Sequence, residues 1–214
     1  MTVAKNREPS RRYRSPLREE QARRTRTAVI DAATGCFVET GYVATTMKDI
    51  AARAGVSVET VYAQGNKASL LLKVVDRALA GDEGPETVLE RPGMRGVLEA
   101  SEPREVLRRL REILVAGIPY ALPVMHAFQT AAAADPEIAE VFATYEERRL
   151  TDMTAIAEAL APGLRHGITV AEAADVVWAL FTTTAIRALV VDRDWGVERW
   201  ASWVTDVLER TLLD

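Results

Sequence analysis

The stretch TMKDIAARAGVSVETVYAQGNK, from Thr46 to Lys67, decides the fold of the amino-terminal part of this chain. It divides at Gly55 into two short segments, each with a helical pattern. The apolar residues of the first segment recur at i, i+3, i+4 and i+7 and so share one helix face: Met47, Ile50, Ala51 and Ala54. The pattern predicts a first helix that packs against a partner on that face.

The ends of both predicted helices carry capping residues. Thr46 stands at an N-cap with Asp49 three residues later, and Gly55 suits the left-handed conformation that ends many helices. Ser57 is a second N-cap, and Glu59 follows in the first turn, where a carboxylate is favoured. Because the second helix begins so soon after the first one ends, the sequence predicts two helices that cross steeply. This is the geometry of a helix-turn-helix that presents its second helix to DNA bases. The alternative is an ordinary αα-hairpin with a glycine turn, which many helical proteins contain.

Charge is distributed unevenly along the chain. Residues 1–67 hold 12 Lys or Arg against 7 Asp or Glu, whereas residues 68–214 hold 15 against 24, and the formal net charge is −4. We expect residues 1–18 to be a disordered basic arm that lies along phosphates or in a minor groove. A solvated tail is the alternative for residues 1–10.

The run from Arg23 to Leu72 resembles the DNA-binding domain of the TetR family of transcriptional repressors. The resemblance is carried by Ile30, Ala33, Phe37, Gly41-Tyr42, Thr45-Thr46, Ile50-Ala51, Ala54-Gly55-Val56-Ser57, Thr60-Val61-Tyr62 and Lys67. It implies an all-α fold, with a three-helix DNA-binding domain over residues 19–66 and a larger helical domain for ligand binding and dimerisation over residues 67–214. It also implies a homodimer that a small molecule releases from its operator. Residues 146–149, 171–179 and 195–204 are similar to the regulatory half of such repressors.

The segment after the second helix departs from the family pattern. Family members usually carry an aromatic residue after the positions matching Tyr62, Ala63 and Gln64, and their lysine comes six residues after the tyrosine. Here Gly65 follows Gln64, and Lys67 comes five residues after Tyr62. The departure puts the seat of Lys67 and the rigidity of the domain in doubt.

The candidate DNA-binding residues are Thr46, Ser57, Val58, Glu59, Thr60, Tyr62 and Lys67. Four of these, residues 57–60, open the recognition helix, where short polar groups, a carboxylate and apolar atoms can read base edges. Thr46, Tyr62 and Lys67 are expected to contact phosphates and so to position the protein. Each has a structural alternative: Thr46 and Ser57 as caps only, Tyr62 as a packing residue, and Glu59 as a partner of the helix dipole.

The rest of the chain shows helical patterns and no strand pattern. We expect a helix over residues 66–80, an irregular connection over 81–96, and a helix from Pro103 that Pro123 interrupts or restarts. Another helix begins at Asp135-Pro136 and runs to Leu160. Thr169 and Glu172 form a capping box for a helix over 170–191, and the last helix covers about 197–213. These last two helices carry more apolar surface than one chain can easily bury, which favours an intersubunit four-helix contact. The two recognition helices of such a dimer would lie roughly 34–36 Å apart, or a multiple of that distance, to meet a palindromic site.

The candidate ligand-binding residues mix apolar walls with few polar groups, as ligand pockets do: Met125, His126, Phe128, Gln129, Tyr145, Trp178 and Phe181. The alternative is that they are core residues, since aromatic residues at helical spacing usually are. Two histidines and one cysteine offer neither a zinc site nor a disulfide framework, so we expect no metal and no cofactor.

No phosphate loop, nucleophile elbow or metal-ligand cluster points to an enzyme. The uncharged stretch 176–186 is far below the roughly 18 residues of a membrane span, and no apolar segment follows the basic amino terminus. We expect a cytoplasmic, non-enzymatic protein without membrane association. Its expected partners are double-stranded DNA, a second copy of itself and an unidentified small-molecule effector. The alternative hypothesis is a dimeric helical small-molecule-binding protein that no longer binds DNA because of the altered segment after Gln64.

Overall fold

The computed structural model describes residues 16–80 and 92–214, and in these residues the chain is helical throughout, without a β-strand. The helices are α1 (Pro16–Glu39), α2 (Met47–Ala54), α3 (Val58–Tyr62), α4 (Lys67–Ala80), α5 (Pro92–Leu98), α6 (Pro103–Ala132), α7 (Pro136–Leu160), α8 (Val170–Leu180), α9 (Thr183–Val190) and α10 (Val197–Leu212). The all-α prediction is confirmed.

Helices α1 to α3 form the head of the molecule, and the first half of α4 completes its core. Ile30, Phe37, Ile50 and Val61 are almost fully buried there, together with Leu71 of α4. The same buried cluster continues into the body, which comprises α4 to α10, through Val124 and Phe128 of α6 and Ile138 of α7. The expected boundary at residues 66–67 therefore separates α3 from α4 but does not divide the core.

Helix α1 begins at Pro16, so residues 16–18 of the segment expected to be a disordered arm are helical. Pro16 can open a helix because its missing N–H has no partner in the first turn anyway. The other residues of that arm, 1–15, lie outside the described residues, as do residues 81–91 of the irregular connection expected over 81–96. Residues 92–96 of that connection are helical and belong to α5.

The expected interruption at Pro123 is wrong. Helix α6 runs unbroken through both Pro119 and Pro123. Each proline removes one helical hydrogen bond, but both lie on the exposed side of α6, where water can satisfy the carbonyls that lose their donors. Buried neighbours such as Leu122 and Val124 hold the helix in place.

The expected single helix over residues 170–191 is also wrong. Helices α8 and α9 meet at a bend of 48°. The break is capped, since the Thr182 hydroxyl accepts a hydrogen bond from the Ala185 amide at 3.2 Å. A threonine that caps locally competes with helix continuation, and the apolar pattern across it gave no sign of this. The capping box of Thr169 and Glu172 at the start of α8 is confirmed.

Helix α6 is the central element of the body and packs against α4, α7 and α10. Leu110 of α6, Ile156 and Leu160 of α7 and Leu208 of α10 form its buried core. By length and composition alone α6 could cross a membrane, as could the bent pair α8 and α9 taken together. In this fold the apolar residues of α6 serve the head core and the body core.

Candidate nucleic-acid interface and ligand cavity

Helix α2 is fixed by a capping box at its start. The Thr46 hydroxyl accepts from the Asp49 amide at 3.2 Å, and the Asp49 carboxylate accepts from the Thr46 amide at 2.9 Å and hydroxyl at 2.6 Å. These hydrogen bonds hold the pKa of Asp49 below its usual range. Gly55 ends the helix with φ +68°. The predicted caps of α2 are confirmed, so the turn to α3 is locally determined.

Helix α3 buries one side and presents the other to solvent. Val61 is fully buried, whereas Ser57 and Glu59 are exposed and 59% of Tyr62 is accessible. The Ser57 hydroxyl accepts from the Thr60 amide at 3.2 Å and so caps α3 as predicted. A capped, anchored helix holds its outward side chains in fixed positions, which readout of base edges requires.

The seven candidate DNA-binding residues do not share one environment. Thr46, Ser57, Glu59 and Tyr62 are exposed, and Val58 and Thr60 are half-buried at the same end of the head. Glu59 accepts from its own amide and from Ser57, which lowers its pKa. Six of the seven therefore lie at or beside an accessible surface on α2 and α3, and Lys67 differs.

Lys67 turns its ammonium to the loop between α1 and α2. Its Nζ donates to the carbonyls of Tyr42 at 3.0 Å, Thr45 at 3.1 Å and Val43 at 3.4 Å, and it lies 4.4 Å from the centre of the Tyr42 ring. An ammonium has three donors, and all three are used. The structure therefore does not show Lys67 presented to phosphate, as the sequence analysis expected, but fastening α4 to the loop that precedes α2.

The shorter connection after Tyr62 closes without the usual aromatic residue. Gly65 adopts φ +131°, and a Cβ at this position would overlap the Ser69 hydroxyl. Asn66 then caps α4, since its Oδ1 accepts from the Ser69 amide at 2.8 Å, and the Lys73 ammonium donates to the Gln64 carbonyl. Only glycine fits at position 65. These hydrogen bonds thus connect α3 to α4 in place of the packing of an aromatic ring.

Arg53 of α2 is held in an ion pair within the head. Its guanidinium donates two hydrogen bonds of 2.7 Å to Glu39 of α1 and lies against Gly35, where no side chain obstructs it. Such bidentate pairs are geometrically specific. Arg53 thus braces α2 against α1, while Lys48 of the same helix is exposed.

A cavity of about 210 Å³ lies in the body between α4, α6, α7 and α9. Of the predicted ligand-binding residues it brings together Met125, Tyr145 and Phe181. Much of its wall comes from α6 residues that the sequence analysis did not single out: Leu110, Ile113, Leu114, Gly117, Ile118, Ala121 and Leu122.

The four other predicted ligand residues do not line this cavity, and three of them have contacts elsewhere. Phe128 packs edge-on against Phe142 at 5.0 Å, and the Trp178 ring lies 4.7 Å below the Arg149 guanidinium. Gln129 points to Thr184 of α9, with 3.5 Å between Nε2 and Oγ1. His126 has its pKa lowered by burial and by the nearby charge of Arg187. Residue 126 lies on another side of α6 than Met125, whereas residues 128 and 129 share its face but lie one turn further along the helix, past the last α6 residue that lines the cavity.

Two charged cavity residues, Arg149 and Asp152, were missed by the sequence analysis. With Tyr145 they stand at i, i+4 and i+7 on α7 and so share one face. Arg149 is buried; it donates to Glu146 at 3.0 and 3.1 Å and to the Trp178 carbonyl at 3.2 Å. The helical spacing from Tyr145 was the signal that could have found them.

Two direct connections join the cavity region to the head. Ala78 and Leu79, near the end of α4, line the cavity, whereas Lys67 at the start of α4 fastens the head. In addition, the Tyr42 hydroxyl donates to Asp135, the cap of α7, at 3.2 Å. Burial, reinforced by Asp135, raises the pKa of Tyr42 to about 12. Helices α4 and α7 are thus joined to the head through specific contacts.

Metal ligands do not gather in residues 16–80 and 92–214: no group of three His, Cys, Asp or Glu side chains is placed to hold an ion there.

The sequence of the head matches a known protein family. Residues 29–74, from the second half of α1 to the middle of α4, match the model of the bacterial regulatory proteins of the tetR family. The match covers the head of this chain, and the likeness is to the amino-terminal domain of that family. The matched segment contains α2 and the exposed α3, the two helices of the helix-turn-helix.

Solved structures of TetR-type regulators share the fold along nearly the whole chain. The complex of SmeT with triclosan is 21% identical over 89% of this chain and 92% of that chain, with a TM-score of 0.69. SmeT is the repressor of the Stenotrophomonas maltophilia multidrug efflux pump SmeDEF. NalD, the secondary repressor of the MexAB-OprM multidrug efflux pump in Pseudomonas aeruginosa, is 19% identical over 90% of this chain and 98% of that chain, with a TM-score of 0.67.

A transcriptional regulator from Saccharomonospora viridis in complex with choline is 18% identical over 92% of this chain and 99% of that chain, also with a TM-score of 0.67. At these identities the likeness shows the fold. A comparison with curated proteins finds no match.

Proposed function

We propose that this chain is a homodimeric TetR-family repressor that binds a palindromic operator through its two heads and is released by a small molecule bound in the body. The observation that carries the proposal is the outward surface of α3. Its cap at Ser57 and its anchor at Val61 fix the helix, and the exposed or half-buried residues 57–60 and Tyr62 are left to face DNA.

The division of roles follows from where each side chain lies. Ser57, Glu59 and Thr60 occupy the first turn of α3, which enters the major groove in helix-turn-helix proteins, so we assign them to base readout. Tyr62 and Thr46 carry exposed hydroxyls at its margin, and we assign them to phosphates. Lys67 supports this surface from behind.

Release by a ligand is supported by the course of α4. A molecule that occupies the cavity contacts Ala78 and Leu79, and α4 carries that contact to Lys67 and the head. A ligand that binds better to a conformation with badly spaced heads lowers DNA affinity by the same coupling free energy. The triclosan complex of SmeT, a repressor of an efflux pump, and the choline complex are consistent with a ligand site in this fold.

Dimerisation is supported by apolar surface on α8 and α10. Ala179 of α8 is exposed, Val176 and Leu180 are partly exposed, and Trp203 of α10 is 37% exposed. We assign these two helices to the twofold interface. Ala179→Arg should turn the dimer into a monomer in sedimentation velocity, because a charge would be buried between subunits. Ala143→Arg, at an exposed site of α7, is the matched control and should leave the dimer intact.

DNA binding is tested by titrating the region upstream of the chain's own gene with the purified protein. We expect palindrome-selective binding that weakens steeply as salt rises from about 50 to about 200 mM, because phosphate contacts release counterions. Thr60→Ala should change which base pairs are preferred, by about 1 kcal/mol per pair, whereas Tyr62→Phe should weaken all sequences alike. Binding that is absent or blind to sequence would overturn the repressor proposal.

A further inference from the structure

One wall of the body cavity carries a carboxylate that has no partner within residues 16–80 and 92–214. The lining from α4, α6 and α9 is almost entirely apolar, and the polar side chains come mainly from one face of α7: Tyr145, Arg149 and Asp152. Cavities that bind small molecules combine apolar walls with a few such groups, which fix the orientation of the ligand. The charge state of these three groups therefore decides what the cavity accepts.

Arg149 is already neutralised and immobilised. Glu146 accepts two hydrogen bonds from its guanidinium, the Trp178 carbonyl accepts a third, and the Trp178 ring covers it. Only 9% of the Arg149 side chain is accessible. Three of its five donors are used and its charge is matched by that of Glu146, so it is a weak partner for an anionic ligand.

Asp152 has no hydrogen bond or ion pair with any described residue. Its carboxylate is partly buried in the cavity wall, and this burial raises its pKa. The charge that acts on it most is that of Arg148, which lies on the exposed side of α7. Since Arg149 and Glu146 cancel, the wall keeps one uncompensated negative charge. Buried charges without partners are costly, and a cationic ligand would offset that cost.

We propose that the cavity binds an organic monocation with an apolar body, whose cationic group lies against Asp152 and whose apolar part lies between Met125, Leu110 and Phe181. Tyr145 and Phe181 also line the cavity, and aromatic rings attract cations through their faces. At about 210 Å³ the cavity suits a small amphipathic molecule. The inference deepens the proposed function, on which it rests for the consequence at DNA but not for binding itself.

The test is isothermal titration calorimetry of the full chain with benzyltrimethylammonium, with its neutral carbon isostere neopentylbenzene, and with the anion phenylmethanesulfonate. We expect the cation to bind at least about tenfold more tightly than the isostere, because only the cation gains an ion pair with Asp152. The anion should not bind measurably. Absence of cation binding, or tighter binding of either other probe, would overturn the inference.

Variants of Asp152 separate charge from shape. Asp152→Asn should weaken the cation by about tenfold or more and leave the isostere unchanged, and Asp152→Glu should restore cation binding. Asp175→Asn, which removes an exposed carboxylate on α8 outside the cavity, is the matched control and should bind like wild type. Thermal melts establish that each variant folds. Wild-type affinity for the cation in folded Asp152→Asn would contradict the assignment.

Failure of the inference and failure of the proposed function can be told apart, because binding is measured without DNA. A cation that binds through Asp152 without loosening the DNA complex leaves the inference standing and contradicts ligand release by this cation. If the chain binds DNA sequence-selectively but does not bind the cation, the inference is contradicted and the DNA-binding proposal stands.

Discussion

Lys67, where α4 meets the head, and Asp152, in the body, are both partly buried charged side chains with opposite surroundings. In the head, the Lys67 ammonium has three carbonyl acceptors and an aromatic ring. In the body, the Asp152 carboxylate has no hydrogen-bonding partner among the described residues. A charge whose partners are complete contributes to the fold, and one whose partners are missing is available to a ligand. The comparison assigns a structural role to the first residue and a binding role to the second.

The largest loss in the free energy of unfolding should come from removing the Lys67 ammonium, which donates to three carbonyls. Lys67→Met keeps the length of the side chain but leaves the carbonyls of residues 42, 43 and 45 without their donor, at a cost of about 3 kcal/mol in the free energy of unfolding. Urea denaturation measures this loss.

Lys48→Met is the control for Lys67→Met, because Lys48 is an exposed lysine of the same head, and it should stay within about 0.5 kcal/mol of wild type. Equal stabilities for the two variants would place Lys67 among the outward residues and restore the phosphate contact expected from the sequence.

The stability of the chain should be almost as sensitive to substitution in the connection between α3 and α4, which precedes Lys67. Gly65→Ala forces a side chain into a left-handed conformation and against Ser69, so we expect a loss of about 2 kcal/mol in the same assay. Gly196→Ala is the control, because Gly196 has an ordinary backbone conformation and open space around it. A Gly65→Ala variant as stable as wild type would show that this connection relaxes freely.

The smallest effect, and one of opposite sign, should come from Asp152→Asn in the absence of ligand. Burial raises the pKa of Asp152 in the folded chain, so the fold favours the protonated acid and the carboxylate costs stability above that pKa. Removing the charge should therefore raise the urea midpoint at neutral pH. The gain should shrink as pH falls through the raised pKa and vanish below the unfolded value. A variant less stable than wild type at neutral pH would mean that Asp152 has a stabilising partner.

Sequence reasoning succeeded where structure is decided within a few residues. The caps at Thr46, Ser57 and Thr169 and the glycine end at Gly55 were all predicted and confirmed. Each depends on a hydrogen bond or a backbone conformation that neighbours three or four residues away determine.

It failed where distant residues decide the outcome. The acceptors of Lys67 come from a loop 22 to 25 residues earlier, and no local pattern points to them. Helix α6 continues through Pro123 because that side of the helix is exposed. Of the residues predicted to bind a ligand, only Met125, Tyr145 and Phe181 line the cavity. Which face of α6 meets α7 depends on packing across the whole body.

The central claim is that two copies of the α2–α3 head read duplex DNA together. Hydroxyl-radical footprinting of the chain on the region upstream of its gene tests this most directly. We predict two protected half-sites related by a dyad, with centres roughly 34–36 Å or a multiple of that distance apart. A single protected half-site, or uniform protection without a dyad, would contradict it.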